Sequence, residues 1–455
     1  MIRFPDPADA VARSMWAALG RDANDLSAAC APSRPVPLPA HTDVPSLAWA
    51  AAIVASLAAA RLAGAADVVV DPDRVAVAYT SDRLFRMDGA LSGAFAALSG
   101  FFRCTDGWVR THGNYPHHAA ALRAALALPA DGGRTAAAAA LSRRTVDDAV
   151  RVITRSGGLC VAVAYESRVT DERLRTQPII SVRGIHPSPA VPTRAATADA
   201  PLRGIRVLDL TRVIAGPVGT RTLALLGADV LRIDPPHMPE IVRQHLDTGH
   251  GKRSTLLDLT VPAQRAVFDE LLATADVVAL GYRPTALARL GLTSETLAER
   301  RPGIIVARHS AWGNQDADAP DRRGFDSLVQ ANCGIAVIEG GPDAPGALPA
   351  QALDHTTGYL LAAGVITALA RREAEGGSWV VETSLRRVAA ELLGLGRTPT
   401  VAATPAFDIH EHMQTFDVEG HRVTTAVPAI AYTGGPLRFA APRPWGRDAP
   451  EWMPR

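Results

Sequence analysis

Asp354 stands at the head of a long apolar, helix-compatible run, "PAQALDHTTGYLLAAGVITALA" (349–370). Two chemistries are open to a carboxylate in that place. It can cap the helix by accepting bonds from the free N–H groups of the first turn. It can instead be a covalent nucleophile aimed into a cleft. Thr357, three residues on, suits the cap. The default for His355 is to face solvent or complete that cap, although it also stands close enough to assist a reaction.

A second signal is Lys252, in "DTGHGKRST" (247–255). It is the only lysine in the chain, beside 46 arginines. So strong a bias leaves two readings, chance or a position with a use for a compact ammonium on a flexible stem. The stretch is not a phosphate-binding P-loop: Leu246 stands where a glycine is needed, and Arg253 where Ser or Thr must follow the lysine. The histidines of "HGNYPHH" (112–118) lack the i, i+4 spacing with an acid that a helical metal site uses. Those of "HEH" (410–412) are two apart. Both groups read as solvated loop residues, and no metal is expected.

Stepping outward, "GIRVLDL", "DVLRIDPP", "DVVALG", "GIIVARHS" and "GSWVVETSL" read as strands. Helical stretches lie between them: "GPVGTRTLALLGA", "PAQRAVFDELLATA" (262–275), "TSETLAERR" and the Asp354 run, with "RRVAAELLGLG" after the last strand. Strands alternating with helices over short loops predict βαβ units and a parallel, helix-covered sheet. The first βα turn, "DLTRVIAGPVGTR" (209–221), is where such a sheet would take a nucleotide. Asp234 ends the second strand 25 residues after Asp209, as a ribose-binding acid would. Gly216 and Gly219 are nevertheless spaced G-x-x-G, without the G-x-G of a dinucleotide site, so no NAD is expected.

Before this region, "FFRCTDGWVRTHGN" (101–114) predicts two strands joined at Asp106-Gly107. Helices follow near 117–128 and 145–156, and "LCVAVAY" (159–165) is a buried strand. "ADVVVDPDRVAVAYTSDRLFRMDG" (66–89) reads as short strands and turns. The alanine-rich stretch 46–66 reads as a buried core helix rather than a membrane span, since it carries Arg61. The Pro/Ala/Ser/Thr-rich segment 184–201 has no apolar periodicity and is the main boundary. It divides the chain into residues 1–190, residues 201–400 and a tail from 401 to 455.

Composition narrows the classes. Apolar residues make up 47% and charged residues 20%, with a net charge of +1. Nothing there points to nucleic acid or to a polybasic membrane surface. Four scattered cysteines, Cys30, Cys104, Cys160 and Cys333, form no C-x-x-C pair and fit a reducing cytoplasm. The N-terminus lacks the basic and apolar regions of a signal peptide.

Five stretches together resemble family III CoA-transferases, the CaiB/BaiF and formyl-CoA transferase group. They are "PLRGIRVLDLTRVIAGPVGTRTLALLGADVLRIDPP" (201–236), "GKRSTLLDL" (251–259), "GYRPTALARLGL" (281–292), "RGFDSLVQANCG" (323–334) and "ALDHTTGYLLAAG" (352–364). The resemblance implies an α/β fold, with a Rossmann-like parallel-sheet large domain plus a smaller α/β domain. It implies CoA or acyl-CoA as substrate at the carboxyl ends of the strands, a carboxylic acid as second substrate, and a homodimer. It places Val213, Ala215 and Arg232 near adenosine, and Lys252, Arg289 and Arg323 near CoA phosphates. The family's catalytic aspartate falls on Asp354. Free N–H groups at the helix start would serve its oxyanions.

The regions "LSGFFRCTDGWVRTHGNYPHHAAAL" and "RTVDDAVRVITRSGGLCVAVAYESR" resemble the family's later, small-domain part, which here comes first. A chain so arranged would supply within itself what usually comes from a partner. Three departures matter. Related racemases carry histidine in a "GHD" motif, where this chain has Gly324-Phe325-Asp326, and phenylalanine cannot move a proton. The family's glycine-rich loop has no clear counterpart after "VVETSL". "HMPEIVRQ" (237–244) replaces the usual Gly-Asp before Arg243. The alternatives to a CoA-transferase are therefore a 2-methylacyl-CoA racemase-like enzyme or a degenerate CoA-binding subunit.

Overall fold

The computed structural model describes residues 7–22, 26, 32–65, 67–91, 93, 95–192, 197–313, 321–401 and 407–454. Cys30 and part of the 184–201 linker lie outside them. The fold is α/β. Its main sheet has seven strands, in the order Ile180–His186, Ser378–Ser384, Ile305–Ser310, Val277–Leu280, Arg206–Leu210, Asp229–Asp234 and Arg253–Leu256. All neighbours are parallel except the edge strand Ile180–His186, which runs antiparallel to Ser378–Ser384. Val207, Leu208, Val277, Val278, Ile305 and Val306 are buried, as strands covered on both faces require.

The chain lays down the antiparallel edge strand first and starts the parallel part of this sheet in the middle. From Arg206–Leu210 it winds outward through Asp229–Asp234, then returns to Val277–Leu280 on the other side and winds away through Ile305–Ser310. The direction of winding reverses between Arg206–Leu210 and Val277–Leu280. At such a switch point the loops beyond the carboxyl ends diverge and leave a crevice.

A smaller α/β unit lies before the linker. Strands Gly100–Arg103, Trp108–Thr111 and Cys160–Ala162 form an antiparallel sheet. Helices Pro116–Ala125, Arg134–Leu141 and Val146–Arg155 pack on it around Phe102, Leu122, Leu141 and Ile153. The 66–89 stretch differs from the expected strands and turns. It contains the helix Pro72–Tyr79, started by Asp71, whose carboxylate accepts from Asp73 N at 2.9 Å with Pro72 in the first turn.

The linker does not separate two bodies. The edge strand Ile180–His186 precedes it yet completes the main sheet. The alanine-rich helix Val44–Ala63 is long and apolar enough to cross a membrane, but it is buried and shares one core with the 24-residue helix Ala352–Glu375. In the tail, His421–Ala426 pairs with Met413–Val418 and with Arg86–Met87.

Candidate functional site

The helix Ala352–Glu375 carries Asp354 in its first turn and lies against the helix Ala215–Leu225. Two glycines permit that approach. A Cβ on Gly358 would meet Ala215 O at 2.6 Å, and one on Gly219 would meet Gly358 O at 3.0 Å. Gly219 thus packs against the Asp354 helix, whereas Gly216 makes room for Thr211, whose Cβ would lie 2.4 Å from an added Cβ. In the turn that precedes Ala215, Val213 has φ +71°, an unusual conformation for a β-branched residue.

Asp354 does not cap its own helix. Its backbone N–H donates to Asp326 Oδ2 at 3.0 Å, and the carboxylate of Asp326 also takes the N–H of Leu353. Asp326 is itself fixed by a hydrogen bond from Gln330, whose other amide atom accepts from Leu348 N at 2.9 Å. The expectation that these N–H groups stay free for an oxyanion is therefore corrected for Leu353 and Asp354. The side chain of Asp354 accepts no hydrogen bond among the described residues, and only 6% of the residue is exposed.

Burial pushes the Asp354 carboxyl well above the usual carboxylate range, and the nearby carboxyls of Asp326 and Asp82 push it further. Burial likewise raises Asp326 to about 6, against the hydrogen bonds it accepts from Asp354 N and Gln330. Asp82 also rises to about 6, through burial and then the charge of Asp247. Such grouping of carboxyls with displaced pKa values is common where chemistry occurs.

Asp354 lies where two cavities meet. The outer one, about 470 Å³, opens between the Val213–Ala215 turn, the Gly281–Arg283 segment and the Ser310–Gly313 loop. These follow the carboxyl ends of the strands at the switch point. Arg212, Arg283, Arg322 and Arg323 line it. Arg212 lies over the Tyr115 ring at 4.9 Å and pairs with Glu240, and Arg322 lies over the Trp312 ring at 3.6 Å. The inner cavity, about 40 Å³, is lined by Asp82, Asp247, Asp326 and Asp354 together with Arg243, His112 and Asn114. Tyr115, Val213, Phe325 and Asp354 border both.

Of the residues expected around a ligand, the structure brings Val213, Ala215 and Arg323 to the outer cavity with Asp354. It leaves Arg232, Lys252 and Arg289 away from both. Lys252 is 2% exposed, and its ammonium donates to Asp209 Oδ2 (3.0 Å), Pro217 O (2.9 Å) and Thr220 Oγ1 (2.6 Å). These are all the donors an ammonium has. Burial lowers it to about 8 despite Asp209. Burial would raise Asp209, but Lys252 and Arg232 outweigh it and hold the carboxyl below its ordinary value. The sole lysine is thus the internal tie of the first βα turn. Arg232 is buried between Asp234 and Glu240, at 2.7 Å from each. Arg289 is exposed on the short helix Pro284–Arg289.

The histidines differ from expectation. His112 is 4% exposed, and its ring lies parallel to Phe325 at 3.9 Å with 5° between planes. Burial, then His118 and Arg110, lowers it to about 3, so it is neutral. His118 is buried and lines the outer cavity beside His117. "HGNYPHH" is therefore a wall of the site, not a solvated loop. His355 neither faces solvent nor caps: it is buried and stacks on Tyr79 at 5.1 Å. His412 approaches Asp71 and Asp73, a group able to hold a cation but partly open to solvent.

Arg212, Arg283 and Arg322 of the outer cavity and the acids Asp82 and Asp247 were not among the residues expected at the site. Asp326 and Arg212 stood in stretches already singled out, "RGFD" and "DLTR". Their roles depend on contacts with residues far along the chain.

Residues 202–436 match the sequence model described as CoA-transferase family III. The chain is 34% identical over 206 residues to the "Probable fatty acyl-CoA transferase Rv3272" of Mycobacterium tuberculosis, covering 42% of this chain and 52% of that protein. It is 34% identical over 209 residues to the acetyl-CoA:oxalate CoA-transferase of Acetobacter aceti, covering 42% and 53%. A crystal structure of Rv3272 aligns over 43% of this chain and 57% of that one, at 33% identity and a TM-score of 0.40. The chain spans about half the length of the curated relatives it matches.

Proposed function

The chain belongs to CoA-transferase family III, and on that premise we propose that it moves CoA between an acyl-CoA and a carboxylic acid through Asp354. The observation that carries this reading is the placement of Asp354. Its carboxyl is buried, free of hydrogen bonds among the described residues, and set where a basic cavity meets an acidic one.

In the proposed course the Asp354 carboxylate attacks the thioester carbonyl. The C–S bond breaks, a mixed anhydride forms and the CoA thiolate leaves. The thiolate then attacks the aspartyl carbonyl and releases the first acid, leaving CoA on Asp354 as a thioester. The incoming carboxylate attacks that thioester, and the same steps in reverse deliver a new acyl-CoA. A carboxylate without hydrogen bonds is a better nucleophile than one held by helix N–H groups. The arginines of the outer cavity suit a pyrophosphate and a 3′-phosphate.

Asp82, His112 and Tyr115 come from the first half of the chain and Asp354 from the second, yet all line one site. We infer that each chain completes its own site, whether or not it pairs as a homodimer. Incubation with an acyl-CoA, followed by peptide mass spectrometry, tests the reading. A CoA thioester on Asp354, convertible to the aspartyl hydroxamate by hydroxylamine, is expected. CoA binding without any adduct would instead favour a binding subunit.

A further inference from the structure

The inner cavity has a charge pattern opposite to that of the outer one. Four carboxyls line it, from Asp82, Asp247, Asp326 and Asp354, against the one guanidinium of Arg243. That guanidinium acts on Asp82 and Asp247. His112 is neutral. The remaining polar walls are Tyr115, the amides of Asn114, Gln244 and Gln351 and the hydroxyl of Ser327, and apolar side chains such as Phe85, Phe95 and Ile214 close the rest. The volume, about 40 Å³, holds about three water molecules by the usual measure of about 10–15 Å³ each.

Because Asp354 borders both cavities, a thioester carbonyl at its carboxylate lies between them. With the phosphates of CoA on the basic side, the acyl chain points into the acidic chamber. We propose that this chamber selects the acid: it admits a short acid whose tail donates a hydrogen bond, a hydroxy or amino acid, and turns away dicarboxylates.

The physical reasons are three. Carboxyl and amide oxygens are acceptors that a hydroxyl or ammonium satisfies. A second carboxylate on the substrate would enter a small buried chamber where burial and neighbouring carboxyls already disfavour ionisation, with the one local cation already facing two aspartates. The size leaves room for a tail of only a few heavy atoms. The inference rests on the CoA-transferase reading for the direction of the acyl chain.

The test is a set of acceptor acids of matched length: 3-hydroxypropionate, β-alanine, propionate and malonate, with acetyl-CoA as donor. The expected result is a kcat/KM at least tenfold higher for 3-hydroxypropionate or β-alanine than for malonate, and Asp82→Asn should narrow that ratio. Preference for β-alanine marks an ammonium site, and preference for 3-hydroxypropionate a hydroxyl site. Calorimetric binding of 3-hydroxypropionyl-CoA and malonyl-CoA to the full chain reads the same selection without turnover. Malonate or malonyl-CoA taken equally well would overturn the proposal. Failure of every acyl-CoA to modify Asp354 would count against the transferase reading alone, since the two affinities still decide what the chamber accepts.

Discussion

The backbone N–H of Asp354 donates to the carboxylate of Asp326 at 3.0 Å, across 28 positions of sequence. A helix N-terminus needs an acceptor, and its own first-turn carboxylate ordinarily competes for that place. Here Gln351, at the cap position, makes no side-chain cap, and a residue from a neighbouring helix does so instead. Asp354 is thereby left free while staying in the positive end of its helix. The same neighbour raises its pKa, so geometry and charge act together on one group.

Replacing Asp326 separates those two effects. Asp326→Asn keeps an acceptor for the N–H groups but removes the charge. The acid limb of the rate profile should move to lower pH, with most stability retained. Asp326→Ala removes both, and should cost about 1–2 kcal/mol in stability as well. Thermal unfolding and a pH–rate profile read the two outcomes. An unmoved acid limb in the Asn variant would sink the coupling.

Asp354→Ala should lower CoA exchange by roughly 10³-fold or more. The residue makes no side-chain hydrogen bond among the described residues, so the fold should survive. Circular dichroism and CoA binding distinguish loss of the nucleophile from loss of the protein.

The carboxyls also give the stability a defined pH dependence. Asp82 rises from 3.8 to about 6 on folding, mainly through burial. An acid whose folded pKa is raised contributes stability that is present below its unfolded pKa and lost as pH climbs through the folded one. Between about pH 4 and 6 the contribution of Asp82 to stability should therefore fall as pH rises, opposite in sign to that of carboxyls such as Glu240 that folding lowers. The stability of Asp82→Asn relative to wild type should therefore rise with pH over that window in denaturant titrations, and a difference independent of pH would contradict the burial argument.

Phe325 makes a separate prediction about the reaction. The position holds an aromatic ring stacked on a neutral imidazole, not an acid–base group. A 2-methylacyl-CoA incubated in D₂O should show no enzyme-catalysed α-deuteration by NMR. Exchange at a rate near that of CoA transfer would revive the racemase reading.

Cleavage of the chain between residues 187 and 197 should leave two fragments that co-elute on gel filtration. The strand Ile180–His186 lies in the main sheet, and the helix Val44–Ala63 lies in its core, so separation would expose both. Fragments that part without denaturant would refute the shared core.

The parallel sheet was legible because each strand is an apolar run and helices such as Pro262–Ala273 and Ser294–Arg300 start at a recognisable signal, a first-turn proline and the Thr293 cap. The same signal existed at Asp71-Pro72, but "DVVV" and "VAVAY" read as β-branched strands. Local capping and packing against Val44–Ala63 made the second of these a helix. What sequence cannot show is burial decided at long range. His355 and His112 are polar by type, and only the fold stacks them on Tyr79 and Phe325. The sole lysine drew notice for its rarity, but its three acceptors lie 32 to 43 positions away. In sequence Asp326 is one letter of a triplet, while its service to Asp354 is a fact of three dimensions.

The hydroxyl of Tyr115 donates to Glu240 at 2.5 Å, and so joins the first half of the chain to the second directly beside the cleft. Because one polypeptide carries both, their encounter is governed by an effective concentration fixed by the tether. Specific activity should then hold constant as the enzyme is diluted, even through a range in which copies of the chain separate from one another.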